Sequence, residues 1–411
     1  MGLKVAVLMG GTSFEREFSL KSGKTVCDAL EEAGHKVVPL DTTKELVPTL
    51  RSERPDVCYI AVHGKHGEDG TLQSLLEFLD IPFVGSSASV CQRAWNKDSL
   101  HYELAAYRNI TGEEPVASWP QGLYIARDAF KSMGAATALD MVQERVIGGY
   151  PVAVKPAHGG SAMGVHRVDR VEDLGDAVLD ALSYDAAVVI EQWIEGVEMG
   201  VSILGTGWDA YALPPVEIVP VQGLYDTAAR MTAGAVNMHC PVRPESLSPD
   251  PAQAQAIRAE IERAALEVYR AYNVRDMGRV DLIWDGAQAR VLEMDVSPGM
   301  TEYSMFPAAC KGAGLSLPKV MDELVNAALQ QPPVWSVPTA CRPSELLDAA
   351  SRPRTGSSRD PETSCAGRLR RTRPLGRIDG DRTSQRACPT RAEVALRSGD
   401  PANLRREVGS R

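Results

Sequence analysis

The residues best suited to chemistry lie in one stretch, Met277–Thr301, which reads MGRVDLIWDGAQARVLEMDVSPGMT. Val280, Leu282, Ile283 and Trp284 suit a strand, Asp285-Gly286 is a turn signal, and Val291–Met294 suits the returning strand of a hairpin. Asp281 and Glu293 sit among apolar neighbours, where a carboxylate is costly unless something pairs with it. Together with Asp295 they can converge on a hard cation held by oxygen ligands, of which Mg²⁺ is the natural candidate. Arg279 lies one side-chain repeat from Asp281, on the same strand face, and suits a developing negative charge. The loop Ser297-Pro298-Gly299-Met300-Thr301 can turn backbone N–H groups toward an oxyanion. Any one of these residues alone fits an ordinary hairpin with a salt bridge from Arg279. All of them in one hairpin fit a metal site.

A second group precedes it. Gly159-Gly160-Ser161-Ala162-Met163-Gly164 joins two expected strands. Such a backbone can approach phosphate oxygens closely and present successive N–H groups to an anion. A plain hairpin turn has the same composition. Lys155 tips the reading, because it ends the apolar strand Pro151–Val154 just before the loop and can reach a phosphate beneath it. Lys97 is a second candidate, although alone it would pass for a surface lysine. Downstream, Trp193 and Ile194 can line an apolar slot for a flat base. Glu191 and Glu198 can accept hydrogen bonds from an amino group and from ribose hydroxyls. Trp193 as plain core is the competing assignment.

The elements that must position these groups follow from periodicity and turn signals. Lys4–Met9 is an expected strand, Glu15–Ala33 a helix and Lys36–Leu40 a strand, which together make an opening βαβ unit. Val57–Val62 is a third strand, running into HGKHGEDG, with helix Thr71–Leu79 and strand Phe83–Gly85 after it. Loops at strand ends of such a sheet are where ligands bind, which places Glu15 and His63 at that edge. A boundary is expected near Ser86–Asn96. Strands Val152–Lys155 and Val165–Val168, helix Val171–Leu182 and strand Ala187–Gln192 follow. Then come strands Val197–Leu204 and Ala210–Pro214, a long connection Pro215–Pro241, helix Pro251–Asn273, the hairpin, and helix Leu315–Leu329.

The 411 residues allow two or three domains. A net charge of −10 argues against a general nucleic-acid binder. No leader-type segment and no apolar run long enough to span a bilayer is expected. The eight cysteines are scattered without a Cys-x-x-Cys pair, as reduced cytosolic thiols would be. From about Gln330 the chain lacks lysine, lacks aromatics after Trp335, and is rich in Arg, Ser, Thr and Pro. It is expected to be a disordered, solvated tail without a catalytic role, an extension such as a shifted reading frame would give.

Taken in order, these motifs resemble those of the D-alanine–D-alanine ligases, an ATP-grasp family, from about Lys4 to Leu329. The opening GGTSFEREFSLKSG is similar to the family's first signature and VHGKHGEDGTLQ to its second. The resemblance implies an α/β fold with three parts. These are a Rossmann-like substrate-binding domain at 1–95, a central lid domain at 96–185 and a catalytic domain at 186–329, with the tail at 330–411. It implies that Glu15 holds the ammonium of the first D-alanine, with His63 beside it and Ser161 near the reacting groups. Lys97 and Lys155 would hold ATP phosphates, and Glu191, Trp193, Ile194 and Glu198 the nucleoside. Arg279 and Gly299 would hold the oxyanion. Asp281, Glu293 and Asp295 would bind two Mg²⁺ (or Mn²⁺) ions, and Ser304 and Met305 the second substrate's carboxylate. It also implies ATP-driven formation of D-alanyl-D-alanine through an acyl phosphate, for peptidoglycan precursors, in a cytoplasmic homodimer with neither nucleic-acid nor membrane partners.

Three positions depart from the family pattern. Asp295 stands where Asn is common. Ala162 replaces a second serine. Tyr225-Asp226-Thr227-Ala228-Ala229-Arg230-Met231 replaces a loop close to YDYEAKY: Arg230 keeps its phosphate-facing charge, whereas Met231 loses a tyrosine hydroxyl. A ligase using D-lactate or D-serine as second substrate, or a non-catalytic nucleotide-binding paralogue, are therefore the alternatives.

Overall fold

The computed structural model describes residues 2–331, apart from 135–136, 138–139, 143, 145–148, 224, 226–231 and 233. All of these belong to one compact unit. The expected tail, but for its first two residues, lies outside them.

Strands β1 (Lys4–Met9), β2 (Lys36–Asp41), β3 (Val57–Ile60) and β4 (Phe83–Val84) form a parallel sheet in the order β2-β1-β3-β4. The run Val5-Ala6-Val7-Leu8 is apolar throughout because both sheet faces are covered. Val5 and Val7 pack with Val26 and Leu30 of helix α1 (Arg16–Glu32). Ala6 and Leu8 pack on the other face with Leu50 of helix α2 (Leu46–Glu53) and Leu72 and Leu76 of helix α3 (Thr71–Phe78).

The segment expected as a boundary is largely helix. Helix α4 (Ala88–Trp95) buries Val90, Cys91 and Ala94 in the core shared by the C-terminal sheet, and helix α5 (Leu100–Thr111) follows. Next comes an antiparallel sheet, β5-β8-β6-β7, of Gly122–Ala126, Ala187–Gln192, Val152–Pro156 and His166–Val168. Helix α6 (Arg127–Met133) follows β5, and α7 (Val171–Tyr184) packs Leu174, Val178 and Ala181 against the sheet's Val154 and Ile190. Since β8 pairs with β5 and β6, this sheet extends beyond residue 185 to Gln192.

The third sheet runs β12-β11-β9-β13-β14, with β10 (Tyr211–Ala212) on β9 (Val197–Leu204). The expected connection Pro215–Pro241 is not structureless, for it contains the antiparallel pair β11 (Val216–Pro220) and β12 (Val236–His239). The hairpin strands β13 (Met277–Trp284) and β14 (Ala289–Asp295) are longer than their apolar residues indicate. Period-two alternation divides β13. Val280 and Leu282 pack on Ile261 and Val268 of helix α8 (Pro251–Ala271), which turns Arg279 and Asp281 to the opposite face. Helices α9 (Met305–Gly312) and α10 (Leu317–Leu329) close a core shared with the first sheet.

Candidate active site

The Asp285-Gly286 turn sets the hairpin register. Asp285 Oδ1 accepts the N–H groups of Ala287 at 2.8 Å and Gln288 at 2.9 Å. Arg279 then lies opposite Asp295, and Asp281 opposite Glu293, with a register shift just beyond Asp281. Directly opposed residues share a sheet face, so all four side chains face one way.

They do not converge on a common metal point as expected. Arg279 Nε donates to Asp281 Oδ1 at 2.5 Å and Nη2 to Asp281 Oδ2 at 2.8 Å, and Nη2 lies 3.0 Å from Asp295 Oδ2. Lys97 Nζ lies 3.0 Å from Glu293 Oε2 and donates to the Gly159 carbonyl. Among the described residues no three His, Cys, Asp or Glu side chains form a group able to hold a metal. The physical reason is charge balance, since Arg279 pairs with Asp281 and Asp295 while Lys97 pairs with Glu293. Arg279 is buried, which works against its charge, but Asp281 and Asp295 outweigh this and raise its pKa well above the ordinary value.

A cavity of about 270 Å³ opens beside the hairpin. Lys155, Glu191, Trp193, Ile194, Glu198, Asp281 and Glu293 all line it. Lys155 and Glu191, on adjacent strands β6 and β8, form a buried ion pair of 2.6 Å. Trp193 is half-buried rather than core, and carries the Arg167 guanidinium 5.2 Å from its ring centroid.

A smaller cavity of about 60 Å³ is lined by Glu15, His63, Ser161, Arg279, Asp295, Gly299, Ser304 and Met305, among others. Ser161 Oγ donates to Glu15 Oε1, joining the glycine loop to the start of α1. Gly299 is needed for close approach: a Cβ there would lie 2.5 Å from Phe18 Cζ and 2.9 Å from Ser304 Oγ. Ser304 Oγ accepts the Thr301 N–H at 3.1 Å, and Ser22 Oγ accepts that of Met300 at 3.2 Å, pinning this loop to α1. The two cavities share Lys97, Gly159, Gly160, Tyr225 and Glu293. Arg230 and Met231 lie outside the described residues.

Phe18 and Glu68 are among the wall residues not singled out from the sequence. Phe18 packs against the His63 ring at 4.8 Å between centroids. Glu68 Oε1 lies 3.2 Å from His63 Nδ1. Burial, then the negative charge of Asp295, push the Glu68 carboxyl up to about 8, while burial holds His63 below its ordinary value. The available signal was the acidic pair of HGKHGEDG, five residues after His63.

The family models for the D-ala D-ala ligase N-terminus and C-terminus match residues 46–86 and 123–326. The chain is 37% identical to the D-alanine--D-alanine ligase of Pelotomaculum thermopropionicum over 80% of its own length and 98% of the relative's. Among solved structures, the D-alanine--D-alanine ligase of Bacillus anthracis matches with a TM-score of 0.63 at 26% identity, over 80% of this chain and 98% of that one. Another structure of that protein, complexed with ATP, matches with a TM-score of 0.61 at 24% identity over the same shares. The α/β fold described above is thus shared with these enzymes, and the chain belongs to the D-alanine–D-alanine ligase family.

Proposed function

We propose that this protein is an ATP-dependent ligase that joins two D-alanines, activating the first as an acyl phosphate. The observation that carries this is the junction of the two cavities at Lys97, Glu293 and the Gly159-Gly160 backbone. A nucleotide in the larger cavity would direct its terminal phosphate to the junction. An amino acid in the smaller one would direct its carboxylate to the same place. Lys97, Lys155 and Arg230 offset phosphate charge, and Glu191, Trp193, Ile194 and Glu198 take the nucleoside. Glu15, held by Ser161, receives the first substrate's ammonium beside His63. Arg279 and the Gly299 N–H face the oxyanion that forms when the second amine attacks, and Ser304 and Met305 take that substrate's carboxylate. Such catalysis is mainly alignment and fixed charge in a site closed to water.

Two divalent cations, Mg²⁺ or Mn²⁺, would be held by Asp281, Glu293 and Asp295 and would neutralise the phosphates. The donor set fits in kind: the three acids put hard carboxylate oxygens on one sheet face, and the charges of Asp295 and Glu293 are among the causes that raise the Glu68 carboxyl's pKa. Each carboxylate has lone pairs to spare for an ion beside its bond to Lys97 or Arg279. This reading takes the chain as three functional parts, 1–95, 96–185 and 186–329, with the second division moved past β8, and as a cytoplasmic homodimer supplying peptidoglycan precursors. Among the described residues no helix is long and apolar enough to cross a membrane.

The test is product identification by mass after incubation with ATP, Mg²⁺ and a mixture of D-alanine, D-serine and D-lactate. The expected product is D-alanyl-D-alanine with equimolar ADP. A different major product, or no ADP release on adding D-alanine, overturns the proposal.

A further inference from the structure

The glycine loop departs from β6 through Ala157 and His158, and its conformation is not one that its own residues favour. Ser161 and Ala162 both have positive φ, 52° and 54°, a region that L-residues with a Cβ avoid. Something outside the loop must therefore hold its root. On one side Lys97 does so, its N–H donating to the Ala157 carbonyl at 2.9 Å and its Nζ to the Gly159 carbonyl. On the other side stands Asp185, between α7 and β8. Its Oδ2 accepts both the His158 backbone N–H and His158 Nδ1, each at 2.9 Å, and its Oδ1 accepts the Ala186 N–H at 2.7 Å. The Asp185 main chain is fixed in turn: Arg127, at the start of α6, donates from Nη2 to the Asp185 carbonyl at 2.6 Å and to that of Leu182. Burial opposes the Asp185 charge, yet the His158 and Ala186 donors outweigh it and hold the carboxyl below its usual range.

We propose that Asp185 is a positioning residue for nucleotide binding, acting through His158 to hold the root of the glycine loop over the phosphates. The inference rests on the reading of the larger cavity as the ATP site. A carboxylate that grips both the main chain and the ring of one residue fixes position and rotation together. His158 is the last residue before the first glycine, so its orientation sets where the N–H groups of Gly159–Ser161 point. Asp185 lines neither cavity, so its effect reaches the nucleotide only through the loop.

The experiment compares wild type with Asp185→Ala, Asp185→Asn and His158→Ala. It measures calorimetric affinity for a non-hydrolysable ATP analogue with Mg²⁺, KM for ATP and for D-alanine, kcat, and Tm. Asp185→Ala should weaken analogue binding and raise KM for ATP roughly tenfold, as loss of charge-assisted hydrogen bonds does, with a smaller rise in KM for D-alanine, because Ser161 of the same loop bonds Glu15. His158→Ala, which keeps the backbone bond, should show a smaller loss, and Asp185→Asn, which keeps an acceptor oxygen, should recover most of it. Unchanged analogue affinity in Asp185→Ala overturns the inference. So does a uniform loss in all parameters that tracks a fall in Tm and is not recovered by Asp185→Asn. A wild-type protein that binds no analogue overturns the ATP reading itself, and this inference with it.

Discussion

Arg279 carries a buried charge held between two carboxylates. It is 4% exposed and bonded to both Asp281 and Asp295, so its charge is fixed before any substrate arrives. Preorganised charge of this kind is where an oxyanion is stabilised most, and loss of one such donor costs about 2.7–4 kcal/mol of transition-state stabilisation. Arg279→Ala also removes the buried cation from beside two carboxylates, which adds about 3–5 kcal/mol of destabilisation. Arg279→Lys is therefore the cleaner probe. We expect it to remain folded by circular dichroism and to bind ATP, while kcat for ADP release falls by roughly 10²–10³. Near-normal turnover in this variant would remove Arg279 from the reaction. The sequence showed that Arg279 and Asp281 share a strand face, because alternation is local. It did not show that Arg279 would take Asp295 as well, or that Lys97 would take Glu293, because those pairings depend on what faces the hairpin.

At the level of elements, the long connection before α8 is anchored at its roots. Strands β11 and β12 pair, and Glu217 of β11 accepts four donors from the turn beyond them. Arg243 gives its backbone N–H, Nε and Nη2 at 3.1, 3.0 and 2.7 Å, and Ser246 Oγ donates at 2.8 Å. Burial opposes the Glu217 charge, but these donors outweigh it and lower its pKa. A carboxyl whose folded pKa lies below its unfolded value of about 4.3 stabilises fully above that value. The contribution fades as pH falls through the lower folded value. Glu217→Gln should therefore cost about 1.5–3 kcal/mol at pH 7, and the Tm gap from wild type should narrow as pH is lowered below about 4.3. Thermal unfolding across that range checks it; a gap constant with pH would contradict it. The strands of this pair were missed in the sequence because each is short, interrupted by polar residues and stabilised by its partner rather than by a continuous apolar run.

Across the whole molecule, the candidate site is assembled from the ends of three sheets. Glu15 meets Ser161 across 146 residues, and the Ser297–Thr301 loop meets α1 through Ser22. Such a site gains stability when ligands bridge its parts. With ligand at about 100 times Kd, binding adds about 2.7 kcal/mol, so Mg²⁺, an ATP analogue and D-alanine together should raise Tm by several degrees. Replacing Mg²⁺ with EDTA should shrink that rise if Asp281, Glu293 and Asp295 hold the ion. Scanning fluorimetry reads both, and an EDTA-independent shift would argue against those ligands.

The chain alone determined the βαβ opening, the hairpin and the face on which its acids lie. Continuous apolar runs, period-two alternation and Asp-Gly turns act over a few residues and need no partner to be read. The resemblance to a ligase family was equally legible, since its motifs occur in fixed order. Only the tertiary structure decided that the segment expected as a boundary carries a packed helix, Ala88–Trp95, that β8 belongs with β6, and that Glu68 lines the cavity. It also decided that the hairpin's acids rest against Arg279 and Lys97 instead of against one another. Local pattern states which way a side chain points. What waits opposite it is set by packing between elements far apart in the chain, where burial and charge balance select the partner.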